Sequence, residues 1–215
     1  MKDSTKKIYD ELFTRYPALN ECKAEILTAY EYALATYAQN GTVFCCGNGG
    51  SASDSEHIVG ELLKSFKLRR KIDEKTATAL KAFGADGAYL CETLEGSLGA
   101  VSLISQTGVL TAFANDRAWD VAMAQQLYGL GKSGDSLIAL STSGNSKNCL
   151  LAVMVAKAKG LKTVGFTGQK GGKMKEICDV CICVPETETY KVQELHLPVY
   201  HCICAMLETE IFSEE

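Results

Sequence analysis

The chain has 215 residues, with 22 Lys and Arg against 26 Asp and Glu and a formal net charge of -4. That length suits one compact domain with a full hydrophobic core, and the mildly acidic balance gives no electrostatic ground for a nucleic-acid or membrane partner. No apolar run approaches the roughly 20 residues of a membrane span, and the N-terminus, MKDSTKKIYDELF, is an amphipathic start unlike a signal peptide, so a cytoplasmic location is expected.

In chain order, residues 1–40 predict two N-terminal helices, the second over 22–38 with Ile26, Leu27, Tyr30, Ala33, Leu34 and Tyr37 at helical spacing. Five short apolar runs follow, at 42–46 (TVFCC), 100–104 (AVSLI), 136–140 (SLIAL), 162–166 (KTVGF) and 180–184 (VCICV). Turn residues bound each one, and each reads as a buried strand. Helical patterns over 54–66, 118–130, 146–159 and 190–212 separate most of them, whereas 68–98 is helical in pattern without a strand and reads as an inserted hairpin of helices. Apolar strands alternating with helices predict an α/β fold, a single domain whose parallel sheet is covered on both faces.

Two features invite other readings. The basic run 64–71 (KSFKLRRK) reads as a solvated helix end. Of ten cysteines, Cys45, Cys46, Cys149, Cys202 and Cys204 sit in apolar segments as small hydrophobes, which implies a reducing compartment. Cys178, Cys181 and Cys183 lack a second pair at zinc spacing, and VCICV, which holds the last two, reads as a buried strand.

Ligands of open parallel sheets bind beyond the carboxyl ends of the strands. Two loops there stand out: Gly47-Asn48-Gly49-Gly50-Ser51-Ala52-Ser53-Asp54 after the first run, and Ser141-Thr142-Ser143-Gly144-Asn145-Ser146 after the third. Both lead into helix N-termini, where free N–H groups and the helix dipole attract an anion. One N-cap accounts for one serine, so three serines and a threonine in the second loop point to a phosphate. Gly47, Gly49 and Ala52 match a dinucleotide fingerprint formally, but the acidic residue about twenty positions on is replaced by basic residues and helix. TGQKGGKM also departs from a Walker loop at Thr167 and Met174, so no nucleotide cofactor is expected.

His57 and Glu61 lie four residues apart on the helix after the glycine loop, and Gln193, Leu197 and His201 form an i, i+4, i+8 row on the last helix. If the two faces meet, a carboxylate, imidazoles and an amide share one pocket. Such a set suits aldose–ketose interconversion through an enediol, with Glu61 as base and His201 as acid. The same His57, Glu61, Gln193 and His201 are also a candidate ligand set for one divalent metal such as zinc. Spacing alone is compatible with both uses of Glu61.

GNGGS with HxxxE, then ANDRAWD, STSGNS, TGxxGGKM and VQELHLPVYH, in this order from about Thr42 onward, resemble the sugar isomerase (SIS) superfamily and within it the phosphoheptose isomerases. The resemblance implies a five-stranded parallel sheet flanked by helices, assembled as a homotetramer with shared active sites. It implies conversion of sedoheptulose 7-phosphate to D-glycero-D-manno-heptose 7-phosphate. By motif, Asn48, Gly49, Gly50, Ser51, Asn115, Asp116, Ser141, Thr142, Ser143, Ser146 and Gln193 would contact substrate together with Glu61. Glu61 and His201 would transfer protons, and zinc would sit on His57, Glu61, Gln193 and His201. Tyr190 stands where the family commonly has Asp, Pro198 interrupts the last helical pattern, and 68–98 is longer than the usual connection. The alternatives are an isomerase of a different sugar phosphate, or a non-catalytic SIS adaptor that binds the replication initiator. That adaptor lacks the carboxylate and histidine found here at Glu61 and His201.

Overall fold

The computed structural model describes residues 1–214. Five strands form one all-parallel sheet: β1 (Val43–Cys46), β2 (Ala100–Ser102), β3 (Ser136–Leu140), β4 (Lys162–Gly168) and β5 (Val180–Val184), in the order β2-β1-β3-β4-β5. β1 and β3 are buried along their whole length because helices cover both faces. Their side chains alternate between two cores, with Val43, Cys45, Ile138 and Leu140 in one and Phe44, Cys46, Leu137 and Ala139 in the other.

The first core is closed by α1 (Asp3–Arg15), α2 (Lys23–Ala38), α3 (Gly50–Leu63) and α10 (Thr189–Phe212), through residues such as Phe13, Ile26, Ile58 and Ile203. The second is closed by α6 (Thr107–Asp116), α7 (Ala122–Leu130), α8 (Lys147–Ala158) and α9 (Gly172–Ile177), through Leu110, Leu127, Val153 and Met174. Each large apolar side chain fully removed from water contributes about 1.5–3 kcal/mol. α10 runs unbroken through Pro198.

The inserted hairpin is present as α4 (Glu74–Leu80) and α5 (Gly84–Thr93), joined by a 3-10 turn at Lys81–Phe83. Asp73 caps α4 by accepting from the Thr76 N–H at 2.9 Å, and α4 buries no residue. Gly87 lets the two helices touch, since a Cβ there would lie 1.8 Å from the Leu80 carbonyl oxygen.

Some elements differ from the pattern-based expectation. β2 stops at Ser102, whose hydroxyl bonds Ser55 at 2.9 Å, and α6 occupies a segment for which no helix was expected. α7 begins at Ala122 because Ala118 is extended, and α3 begins inside the glycine loop at Gly50. The basic run 64–71 is not wholly a solvated end: Arg70 is only 2% exposed and forms an ion pair with the buried Glu208.

Candidate active site

The strand order reverses direction between β1 and β3, and in such sheets the crevice beyond the carboxyl ends at the reversal receives the ligand. The two loops leaving that point are Gly47–Ser51 and Ser141–Ser146. Gly49 has φ +54°, a conformation that L side chains rarely adopt. Gly50 opens α3, and a Cβ on it would lie 2.8 Å from the Gln193 side-chain nitrogen. In the second loop the Ser141 and Ser146 hydroxyls are 2.9 Å apart, and Ser141 Oγ also accepts from the Ser146 N–H at 3.3 Å. Ser146 holds the N-cap position of α8 without a side-chain cap bond, so ordinary capping does not account for its hydroxyl. Thr142 is partly exposed and Ser143 fully so at the rim, while Ser51 is buried.

The loops are tied together by Asn48 and Asn148, whose side-chain amides exchange hydrogen bonds of 2.9 and 2.8 Å. Asn48 is therefore spent in part on holding the glycine loop. Asn115 and Asp116 end α6 and bond each other at 2.9 Å, with no hydrogen bond to either loop among the described residues.

A second cluster lies along the packed flank of α3 and α10. His57 Nε2 is 3.2 Å from Glu61 Oε1 and 3.4 Å from His201 Nε2. Glu61 Oε2 faces the Lys64 ammonium at 3.5 Å. On its other side His57 Nδ1 is 3.0 Å from the Tyr200 hydroxyl, which donates to Asp54 Oδ1 at 3.0 Å. Burial, followed by the neighbouring His57, pushes the His201 imidazole below its usual range, against the opposing pull of Glu61. Burial pushes the Asp54 carboxyl up against the opposing pull of Tyr200 and His57, and it pushes the Tyr200 phenol up too. A groove of about 500 Å³ between α1 and α10 reaches His201, with Leu12, Tyr16, Lys67 and Pro198 on its walls.

The end of α3 is anchored by the Arg70–Glu208 pair. Glu208 accepts from the N–H groups of Phe66, Lys67 and Leu68 at 2.8, 2.7 and 3.0 Å and from Arg70 Nε at 2.8 Å. Arg70 also donates to the carbonyls of Leu62 and Glu61 at 2.7 and 2.8 Å, capping the helix that carries Glu61.

The structure thus joins His57, Glu61 and His201 as the pattern suggested, and separates Gln193 from them. Gln193 sits at Gly50, and the eight residues to His201 span about 12 Å of helix. Likewise Ser51 and Glu61 are ten residues apart on α3, about 15 Å along its axis. Asp54 and Tyr200 were missed, although Asp54, His57 and Glu61 form an i, i+3, i+7 row. Arg70 and Glu208 are 138 positions apart and carry no local signal.

Comparison with known proteins accords with this geometry. The SIS domain family model matches residues 14–107 and 96–168. A phosphoheptose isomerase of Burkholderia pseudomallei is 39% identical over 192 residues, 89% of this chain and 85% of that protein. One from Rhodospirillum rubrum is 35% identical over 213 residues, 99% of this chain and 100% of that protein. The solved phosphoheptose isomerase of Neisseria gonorrhoeae superposes with a TM-score of 0.69 at 28% identity, covering 96% of this chain and 92% of that one. With its β1/β3 loops and its Glu61–His57–His201 cluster, the chain belongs to the phosphoheptose isomerase family of SIS-domain isomerases.

Proposed function

We propose that this chain interconverts sedoheptulose 7-phosphate and D-glycero-D-manno-heptose 7-phosphate. The observation that carries the reading is the convergence of Glu61 and His201 through His57, with His201 lining an accessible groove. Glu61 takes a proton from C1 of the ketose while the C2 oxygen gains one with the help of His201, giving an enediol. Return of a proton to C2 and loss of one from the C1 oxygen gives the aldose. Ser141, Thr142, Ser143 and Ser146, with the N-termini of α3 and α8, hold the phosphate. A non-catalytic adaptor has no use for the Glu61–His201 pair.

The loops and the proton-transfer cluster are more than a helical turn apart within one chain. This supports a homotetramer in which one subunit's loops complete the site beside another's cluster. Ten unpaired cysteines support a cytoplasmic location, and no helix among the described residues is long and apolar enough to cross a membrane. No nucleic-acid partner is proposed.

A divalent cation such as zinc held by His57, Glu61 and His201 is part of the proposal, to be tested with a chelator. Among the described residues no group of three or more His, Cys, Asp and Glu side chains is placed so that it could hold a metal ion. The 3.2 and 3.4 Å separations both run from His57 Nε2 and describe a hydrogen-bonded run of side chains, not a closed ligand set. When bound, the cation would polarise the substrate carbonyl. Glu61 has two oxygens, one turned to His57 and one to Lys64, and Gln193 of the same chain lies too far along α10 to join.

Turnover of ketose phosphates of five to seven carbons, with and without a chelator, tests substrate and metal together. Glu61→Gln and His201→Ala are each expected to lose at least about a hundredfold in kcat. Unchanged turnover in both variants would overturn the mechanism.

A further inference from the structure

β5 lies at the edge of the sheet, and its two faces are used differently. Val180, Ile182 and Val184 are buried in the first core, whereas Cys181 and Cys183 face the other way and are half-buried. Cys181 packs against the margin of the second core and Cys183 belongs to neither core, so packing does not account for its thiol. The two sulfurs lie 3.7 Å apart. The buried Thr167 hydroxyl on β4 donates toward them, nearer to Cys183 Sγ at 3.3 Å than to Cys181 Sγ at 3.6 Å. Over Cys183 stands a residue without a side chain: a Cβ on Gly171 would lie 3.1 Å from the sulfur. The Cys181 thiol, then Thr167 and Lys175, draw the Cys183 thiol down to about 6 against the effect of burial. The same contact, followed by burial, pushes Cys181 up, so near pH 7 the pair holds one thiolate and one thiol.

We propose that Cys181 and Cys183 form a reversible oxidation site for hydroperoxides, with Cys183 as the attacking sulfur and Cys181 as its resolving partner. The Cys183 sulfur attacks the peroxide, an S–O bond forms as the O–O bond breaks, and the released alkoxide or hydroxide leaves with a proton as alcohol or water. Cys183 is then a sulfenic acid. Cys181 gives up its proton and attacks that sulfur, the S–S bond forms, and the S–O bond breaks with loss of water. In sum two thiols lose two electrons and two protons, and the peroxide is reduced. Alternate residues of a strand are about 6.6 Å apart, at the upper end of the Cα separation a disulfide accepts, about 6.8 Å. The disulfide is therefore strained and easily reduced, which suits a thiol pair that switches inside a reducing compartment.

The test uses the reduced full-length protein, a small molar excess of hydrogen peroxide at about pH 7, and mass spectrometry of the alkylated digest. Trypsin cuts after Lys175 and Lys191, so Cys178, Cys181 and Cys183 share one peptide. The expected product lacks two hydrogens at Cys181 and Cys183, keeps Cys178 and the half-buried Cys91 as free thiols, and is restored by glutathione. Cys181→Ser should stop at a Cys183 sulfenic acid that dimedone traps, and Cys183→Ser should leave Cys181 reduced. In the untreated wild type, the alkylation rate of Cys183 should level off below about pH 8, whereas an ordinary thiol titrates near 8.5. Peroxide that leaves Cys183 reduced, or a disulfide that joins Cys178 instead, overturns the proposal. So does a Cys183 alkylation rate that still climbs through about pH 8.5. These wild-type readouts decide the matter whether or not either variant folds, and none of them involves a sugar phosphate, so failure of the isomerase assignment would leave this site standing.

Discussion

Replacing Arg70 with Met deletes one half of a pair whose side chains are both 0% exposed. Three hydrogen bonds disappear with the guanidinium, to Glu208 and to the carbonyls of Leu62 and Glu61. The Glu208 carboxylate stays buried with three backbone N–H donors but no counter-charge. Removing one partner of a buried pair costs about 3–5 kcal/mol, because the remaining charge has lost its compensation. At a urea dependence of about 2 kcal/mol per molar, that lowers the unfolding midpoint by roughly 2 M. Glu208→Leu should cost at least as much, since it strands the guanidinium and three N–H groups. The double variant should fall short of the sum of the singles, because neither charge is then left alone. Raising the salt should not narrow the wild-type advantage, as screening barely reaches a buried pair. An Arg70→Met cost below about 1 kcal/mol, the level of an exposed ion pair, would refute the argument, as would strict additivity in the double variant.

Ser143→Ala removes an exposed hydroxyl from the Ser141–Ser146 loop, the proposed holder of the phosphate. It should raise KM for a sugar phosphate about 10–100-fold, the worth of one hydrogen bond to a charged group, with kcat little changed in steady-state assays. Burial holds the His196 imidazole down at about 4, against an ordinary value near 6.5. The folded state therefore resists protonation that the unfolded chain accepts. The contribution from this residue is complete above about pH 6.5 and is lost as the pH falls toward 4, by about 3 kcal/mol in all. Urea midpoints measured from pH 7 down to 4.5 should fall more steeply for the wild type than for His196→Gln, and parallel curves would contradict the assignment.

Much of the fold is legible in local pattern. SLIAL and VCICV coincide end to end with β3 and β5, because a strand covered on both faces must be apolar throughout and is bounded where the chain turns. α6 escaped notice because it buries only Leu110 and so carries almost no periodic signal. The site was legible in direction but not in depth. An i, i+4, i+8 row says that Gln193 and His201 share a face of α10, and it hides the two helical turns that put one beside Gly50 and the other beside His57. KSFKLRRK failed for a different reason. Composition marks a basic run as solvated, and nothing near it announces a carboxylate 138 positions away that draws Arg70 inward.

α10 meets the α3 segment at three levels: Gln193 at Gly50, His201 at His57, and Glu208 at the turn beyond Leu63. At about 100° per residue, steps of eight and seven residues bring these three side chains back to within about 80° of one another. The helix therefore works like a keyed shaft, in which substitution is tolerated far better than a change of length. One residue inserted between Gln193 and His201 would rotate everything beyond it by about 100° relative to the sheet's ligand loops. Either the glycine loop loses its amide neighbour, or the histidine and the glutamate anchor both leave the α3 flank. Family members that differ in length should absorb the difference in connections such as the α4–α5 hairpin, whose first helix buries nothing, and keep the count from Gln193 to Glu208 fixed.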